Sequence, residues 1–432
     1  MKSLLFSVVA ALLAYAYYSI GHDIQRAVTV LGLFRRYPPG GLVKTEQVTA
    51  IPDTAHCEDL HHHIPSGYLF TACEDNTETR FKWFPPLTNF EGPELARKSQ
   101  GSIHVIDAKG LEGRRLKFEN FDGPFITHGI DVIDDDKHPK GKAVYIFAVN
   151  HLPDPTVEEG QTARARSQIE VFHHFIGSDS VRHVRSVWHP LIRTPNDVFA
   201  SSPTSFFVTN DHWYSGHHVL RQLEDVYHGA KWTDTVHIHL ETLNAVDSTT
   251  GVTASIAIGG MHNNNGLGHG RSKNEILVSQ AASGVMHVAE FSEEGTTGHI
   301  KILETIEVDS VVDNPSYFSD PFANSPADDR SGFLLPGISW AVDLARTSRD
   351  PAGKDPVLVY FAKQNKDQEV TSPLRWERRV IFEDDSSRIR TASAAVLVAI
   401  DPAEANPKGA RQAWLFVTGF MSENMIALKV DL

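Results

Sequence analysis

Val144-Tyr-Ile-Phe-Ala148 is wholly apolar, and Gln168-Ile-Glu-Val-Phe172, downstream of it, alternates polar with apolar. The first suits a strand buried on both faces, the second a strand with one face toward water. The same couple recurs along the chain. Gly67-Tyr-Leu-Phe-Thr71, Phe206-Phe-Val-Thr209, Ile276-Leu-Val-Ser279, Phe333-Leu-Leu335 and Trp414-Leu-Phe-Val-Thr418 repeat the apolar run. Ser102-Ile-His-Val-Ile106, Val236-His-Ile-His-Leu240, Val285-Met-His-Val-Ala289 and Met425-Ile-Ala-Leu-Lys-Val430 repeat the alternating one, with Val357-Leu-Val-Tyr-Phe361 as the fifth unit's partner. The six units start 57 to 81 residues apart, as when loop insertions stretch a blade repeat of roughly 40 to 50 residues. We therefore expect an all-β chain folded as a six-bladed β-propeller. The alternative is a β-sandwich, whose strands recur at about 8 to 12 residues without a longer period.

The 432 residues carry 40 Lys+Arg against 54 Asp+Glu, a formal charge of −14. That balance argues against a nucleic-acid partner, which would select for a basic stripe. Met1 to Ile20 is a nearly unbroken apolar run behind Lys2, the pattern of a targeting segment. The expected organisation is an N-terminal hydrophobic helix over 1–21 as signal peptide or signal anchor, a linker over 22–44, and the propeller over 45–432. Entry into the secretory pathway follows, with the protein either secreted or held at a membrane or lipid surface by that segment. Two cysteines, Cys57 and Cys73, exclude a disulfide-dense scaffold and leave a single bridge open.

If each apolar run is an inner blade strand, the polar residues about ten positions upstream enter the central channel. Glu58-Asp59, Asn196-Asp197, Asn263-Asn-Asn265 and Asp313-Asn314 stand there. Mixed carboxylate and amide oxygens in that number suit calcium, which takes six to eight oxygen ligands; taken singly, such residues are ordinary turn formers. Before the second run stands Thr127-His128-Gly129-Ile130, and after it Val149-Asn150-His151. His128 and His151 are candidates for a general base and its orienting partner. His61-His62-His63, His173-His174, His217-His218, and the pair His237 and His239 read as exposed strand-face or loop residues. No Gly-x-Ser-x-Gly elbow and no His-Glu-x-x-His helix occurs, and Gly266-Leu-Gly268-His-Gly270-Arg271 misses the dinucleotide fingerprint.

Taken together, Cys57-Glu58-Asp59-Leu60, Thr127-His128-Gly129-Ile130, Val149-Asn150-His151, Pro195-Asn196-Asp197-Val198, Thr209-Asn210-Asp211-His212, Asn265-Gly266 and Val312-Asp313-Asn314 resemble the serum paraoxonase/arylesterase family, in the family's order. Insertions around Pro153 to Gln168 and Leu344 to Asp385 mark a divergent member. The resemblance implies a calcium-dependent hydrolase of lactones and aryl esters with two Ca2+ per chain. It implies Glu58, Asp59, Asn196, Asn265, Asp313 and Asn314 as ligands of a catalytic calcium. Asp59, Asp197 and the backbone carbonyl of Ile130 would hold a structural one, and His128 and His151 would form the catalytic dyad. The family's disulfide between the N-terminal strand and the C-terminus has no counterpart, so ring closure rests on strand pairing. Its wall histidine has no counterpart, its place falling near Leu335-Pro336, which bears on substrate specificity. Two further readings stand beside this one: a gluconolactonase-like or strictosidine-synthase-like propeller enzyme, and a catalytically inactive, membrane-tethered binding propeller stabilised by calcium.

Overall fold

Each apolar run is the second strand of an antiparallel sheet: Tyr68–Cys73, Ala143–Asn150, Ser205–Asn210, Glu275–Gln280, Gly332–Ile338 and Gln412–Gly419. The computed structural model describes residues 14–15, 17, 21–36, 47–158, 161–216, 218–365, 367–370, 372, 374–405 and 407–432. Five sheets have four strands, and the second blade gains a fifth where Lys117–Glu119 pairs parallel to its outer edge. The innermost strands are Cys57–His63, Thr127–Asp134, Pro195–Ser202, Asn264–His269, Ser316–Phe318 and Ala392–Ile400. Each touches the innermost strand of the blade on either side, which closes a ring of six around one axis. The chain is a six-bladed propeller, as the repeat predicts. What differs is the place of the apolar runs. They lie one strand out, between the faces of neighbouring blades, where only hydrophobic side chains fit; Phe147 and Phe206 meet there across the second and third blades.

Val48–Ile51 pairs with Met425–Leu428 as the outermost strand of the last blade, so hydrogen bonds alone close the ring. Cys57 and Cys73 face each other across the first blade's inner pair and are disulfide-bonded. Much of 344–385 is the fifth blade's own Val357–Gln364 and Trp376–Asp384, so that stretch is mainly blade.

The expected linker is in part structured. Residues 21–30 form a helix, and Arg26 donates to the carbonyls of Ser283, Gly284 and Val308 at 3.0, 2.9 and 2.6 Å. Val30 is fully buried beneath it. The proposed signal segment lies almost wholly outside the described residues. Among the described residues, no helix is long and apolar enough to cross a membrane.

Several histidines expected at the surface are buried: His63, His173, His174 and His237. Inner and third strands pack against the next blade, and His174 sits edge-on to Phe70 of the first blade at 6.0 Å.

Candidate active site in the channel

In a regular strand, consecutive side chains point to opposite faces. Glu58-Asp59 and Asn196-Asp197 escape that rule because the inner strands are bulged. Cys57 pairs with Cys73 but Leu60 with Thr71, so three steps on the inner strand match two on its partner. The same shift lies between Thr127 and Ile130, Pro195 and Val198, Asn264 and Leu267, and Ala392 and Ala395. A bulge re-aims side chains and bends the strand; repeated in five blades, it turns successive residues toward the axis at one level. In the remaining blade, Asp313-Asn314 precedes the strand, and Asn314 bridges to Ala394.

This level is crowded. A Cβ on Gly266 would lie 2.5 Å from the Asn314 Cα and 2.6 Å from the Asp313 carbonyl oxygen, and one on Gly129 would lie 2.6 Å from the Asp197 Cα. Only glycine lets the neighbouring strands approach so closely.

Among the described residues, the buried side-chain oxygens without a hydrogen-bond partner include five at this level of the channel: Glu58 Oε2, Asn196 Oδ1, Asn265 Oδ1, Asp313 Oδ1 and Asn314 Oδ1. They come from four blades and belong to the set implied for a catalytic calcium. Buried polar groups are almost always paired, so five orphans converging from different strands are what a cation cradle leaves behind. The Asn314 amide donates to Glu58 Oε1 at 2.9 Å, which turns its own oxygen free. Burial, then the neighbouring acids Asp313, Asp59 and Asp197, push the Glu58 carboxyl well above its usual range. Asp313 is raised for the same reasons, burial first, then Asp59 and Asp211. A divalent cation relieves this repulsion.

Asp59 and Asp197 lie one step along the channel and are differently occupied. Asp59 accepts the amides of Leu60 and Ile130 at 2.7 and 3.0 Å, and Asp197 those of Val198 and Leu267 at 2.7 and 2.6 Å. Ile130 thus meets Asp59 through its N–H.

His128 Nδ1 and His151 Nε2 are 2.9 Å apart, and His151 Nδ1 is 2.8 Å from Ser167 Oγ. His128 Nε2 lies 3.6 Å from Glu58 Oε1, at the edge of the oxygen cradle. Both rings are buried, which pushes His128 well below its ordinary value and His151 down to about 3. The pair is therefore neutral, and of the two tautomer sets that satisfy these contacts, the one that leaves a base at the cradle is as follows. His151 Nδ1–H donates to Ser167, His128 Nδ1–H donates to His151, and the Nε2 lone pair of His128 faces the cradle.

The connections between second and third strands all return to this end and roof it. Phe84 sets its edge against His128 at 5.1 Å and stacks on Phe420 at 5.4 Å. Arg80, wholly buried, lies 4.5 Å over Phe84 and donates to the Thr127 carbonyl at 3.1 Å. Arg221 donates to the carbonyls of Pro85 and Pro86 at 2.9 and 3.0 Å, tying the helix Val219–Val226 to that roof. The sequence reading missed Ser167, Arg80, Phe84, Arg221 and Phe420. The one signal available was Asn76 three residues before Thr79, an N-cap whose Oδ1 accepts the Thr79 amide at 3.0 Å and which marks a short helix carrying Arg80.

The arylesterase family profile matches residues 93–321, more than half of the chain. The chain belongs to the arylesterase family. It is 26% identical to serum paraoxonase/arylesterase 2 of Gallus gallus over 55% of its own length and 58% of that protein's. It is 28% identical to serum paraoxonase/arylesterase 1 of Mus musculus over 67% and 70%. The match to the first of these relatives, like that to the Rattus norvegicus serum paraoxonase/arylesterase 2, spans less than two thirds of the relative. At such identities this arylesterase-family chain is a divergent member. Among solved structures, the Pseudomonas aeruginosa periplasmic gluconolactonase is 12% identical, with a TM-score of 0.36 over 87% of this chain and 85% of its own, a likeness too loose to bear on function.

Proposed function

We propose that the chain is a calcium-dependent hydrolase of lactones and aryl esters, with water as the nucleophile. The observation that carries this reading is the 2.9 Å His128–His151 pair set beside five unpartnered cradle oxygens. Glu58, Asn196, Asn265, Asp313 and Asn314 would hold the catalytic calcium, with Asp59 contributing; bound there, the ion supplies positive charge where a carbonyl oxygen becomes an oxyanion. Asp59, Asp197 and the Ile130 carbonyl would hold a second, structural ion. His128 Nε2 takes the proton of the attacking water. His151 fixes the tautomer that leaves that lone pair free, and Ser167 fixes His151. Phe84 and Phe420 exclude bulk water above the dyad and give an aryl or alkyl group an apolar wall.

No nucleophilic side chain is needed, in keeping with the missing serine elbow. Localisation in the secretory pathway and contact with a lipid surface belong to the same proposal. The apolar Met1 to Ile20 supports them, as does the helix Val219–Val226 on the roofed face, which leaves Val219, Leu223 and Val226 exposed.

The test is turnover of a lactone and phenyl acetate panel by His128→Gln and Ser167→Ala. Loss of one well-placed base lowers turnover by about 10²–10⁴-fold. Ser167→Ala, acting only through orientation, should cost less and act on kcat more than on KM. Wild-type rates in His128→Gln would remove the histidine from the base role.

A further inference from the structure

At the opposite end of the second blade, three side chains that the channel does not use converge on one point. Asp135 directly follows the inner strand, His138 lies in the tight connection after it, and His173 is on the third strand. Their ligand atoms all lie within 4.8 Å of one another. His173 Nε2 is 3.0 Å from Asp135 Oδ2, and His138 Nε2 is 3.7 Å from the same oxygen.

The second distance is too long for a hydrogen bond, yet it sets the nitrogen beside an oxygen that already has one imidazole. Ligand atoms on one tetrahedral ion, with metal bonds of about 2.0–2.1 Å, stand about 3.3 Å apart, between the two observed values. The other carboxylate oxygen, Oδ1, is taken by the Lys137 amide at 3.0 Å, which orients Oδ2 toward the rings as outer hydrogen bonds do in metal sites. Phe175 packs at 4.9 Å on the His173 ring and 5.2 Å on the His138 ring, so both imidazoles are held. The scaffold is the blade itself: the Asp135 amide donates to the Ala143 carbonyl and the His138 amide to the Asp135 carbonyl, both at 2.9 Å.

We propose that Asp135, His138 and His173 form a site for a divalent transition metal of the zinc class, separate from the calcium cradle. Two imidazoles and one carboxylate select zinc, cobalt or nickel over calcium, which prefers oxygen alone. His138 is exposed while Asp135 and His173 are buried, so a fourth position opens to solvent and takes water or a small anionic ligand. Seven residues of extended strand separate Asp135 from His128, about 23 Å, so the metal would clamp the blade's far edge without touching the channel.

The experiment is a cobalt titration of the full chain in saturating calcium, read by the visible absorption of four-coordinate cobalt. One equivalent should give that band, and zinc should displace it. Losing even an outer partner of a metal ligand costs about 10–100-fold in affinity, so His138→Ala should weaken binding by at least tenfold. His173→Ala should abolish it, while His62→Ala should leave it unchanged. His138 is exposed and its variant should keep the wild-type calcium-dependent melting, so an unfolded His173→Ala would not blunt the test. No band in the wild type, or a band that survives His138→Ala, overturns the site and leaves the channel chemistry untouched.

Discussion

Gly266→Ala is the sharpest perturbation of the cradle because it adds one methyl group and removes no ligand. The new Cβ would sit 2.5 Å from the Asn314 Cα and 2.6 Å from the Asp313 carbonyl oxygen, with the Asn314 Oδ1 also at 2.5 Å. Two of these neighbours are backbone and cannot rotate away, so the strands must part by nearly 1 Å to reach ordinary contact. Overpacking of this kind costs typically about 1–3 kcal/mol, and two rigid contacts place it at the upper end. With an unfolding entropy of about 2.1 cal/mol/K per residue, some 3 kcal/mol in a chain of this size lowers the melting temperature by about 3 °C. The same displacement carries Asp313 and Asn314 away from Asn265, so calcium should bind less tightly and its stabilisation of the fold should shrink. The assay is thermal unfolding of wild type and variant across a calcium titration, with Gly123→Ala as control, since its Cβ would meet nothing nearer than 3.8 Å. Wild-type melting and an unshifted calcium midpoint in Gly266→Ala would show that close strand approach at Gly266 does not set the cradle.

Cys57→Ser with Cys73→Ser opens a loop of 16 residues, worth about 3 kcal/mol by chain entropy. Because Glu58 is adjacent, melting should fall most in calcium-free protein, and scanning calorimetry with and without chelator checks this. His212 lies 2.9 Å from Asp211 and 2.8 Å from Asp225. Burial and Arg221 oppose its charge, but these carboxylates overcome them and hold it up to about 9. With the protonated form favoured in the fold, this contribution is complete below pH 6.5 and is lost as pH rises through about 9. It is on the order of 3 kcal/mol. The melting temperature of the wild type should therefore approach that of His212→Gln between pH 7 and pH 10, and parallel curves would contradict the assignment.

The propeller was legible because its second strands are buried on both faces and read as plain apolar runs. The inner strands hid. Cys57–His63 carries Glu58, Asp59 and three histidines, a composition no strand propensity favours, so a reading by propensity sets Glu58-Asp59 upstream of a strand, whereas they lie within one. The bulges leave no sequence mark, because a shift between Cys57 and Leu60 is a matter of pairing. The convergence of Glu58, Asn196, Asn265, Asp313 and Asn314 was nonetheless legible, since oxygen donors recur at one place in four of the six repeats. Ser167, Phe84 and Arg221 were not, because Ser167 and Phe84 reach the dyad, and Arg221 the roof above it, from connections of irregular length. The buried His173 was misread for a related reason: an alternating strand shows which residues share a face, while the neighbouring blade decides whether that face meets water.

The most direct measurement is hydrolysis of phenyl acetate and a small lactone by the intact chain with calcium present, after chelation, and after calcium is restored. Turnover should disappear on chelation and return with calcium, in step with the calcium-dependent rise in melting temperature. Turnover that persists in chelated protein, or none at all from folded and calcium-loaded protein, would contradict calcium-dependent hydrolysis.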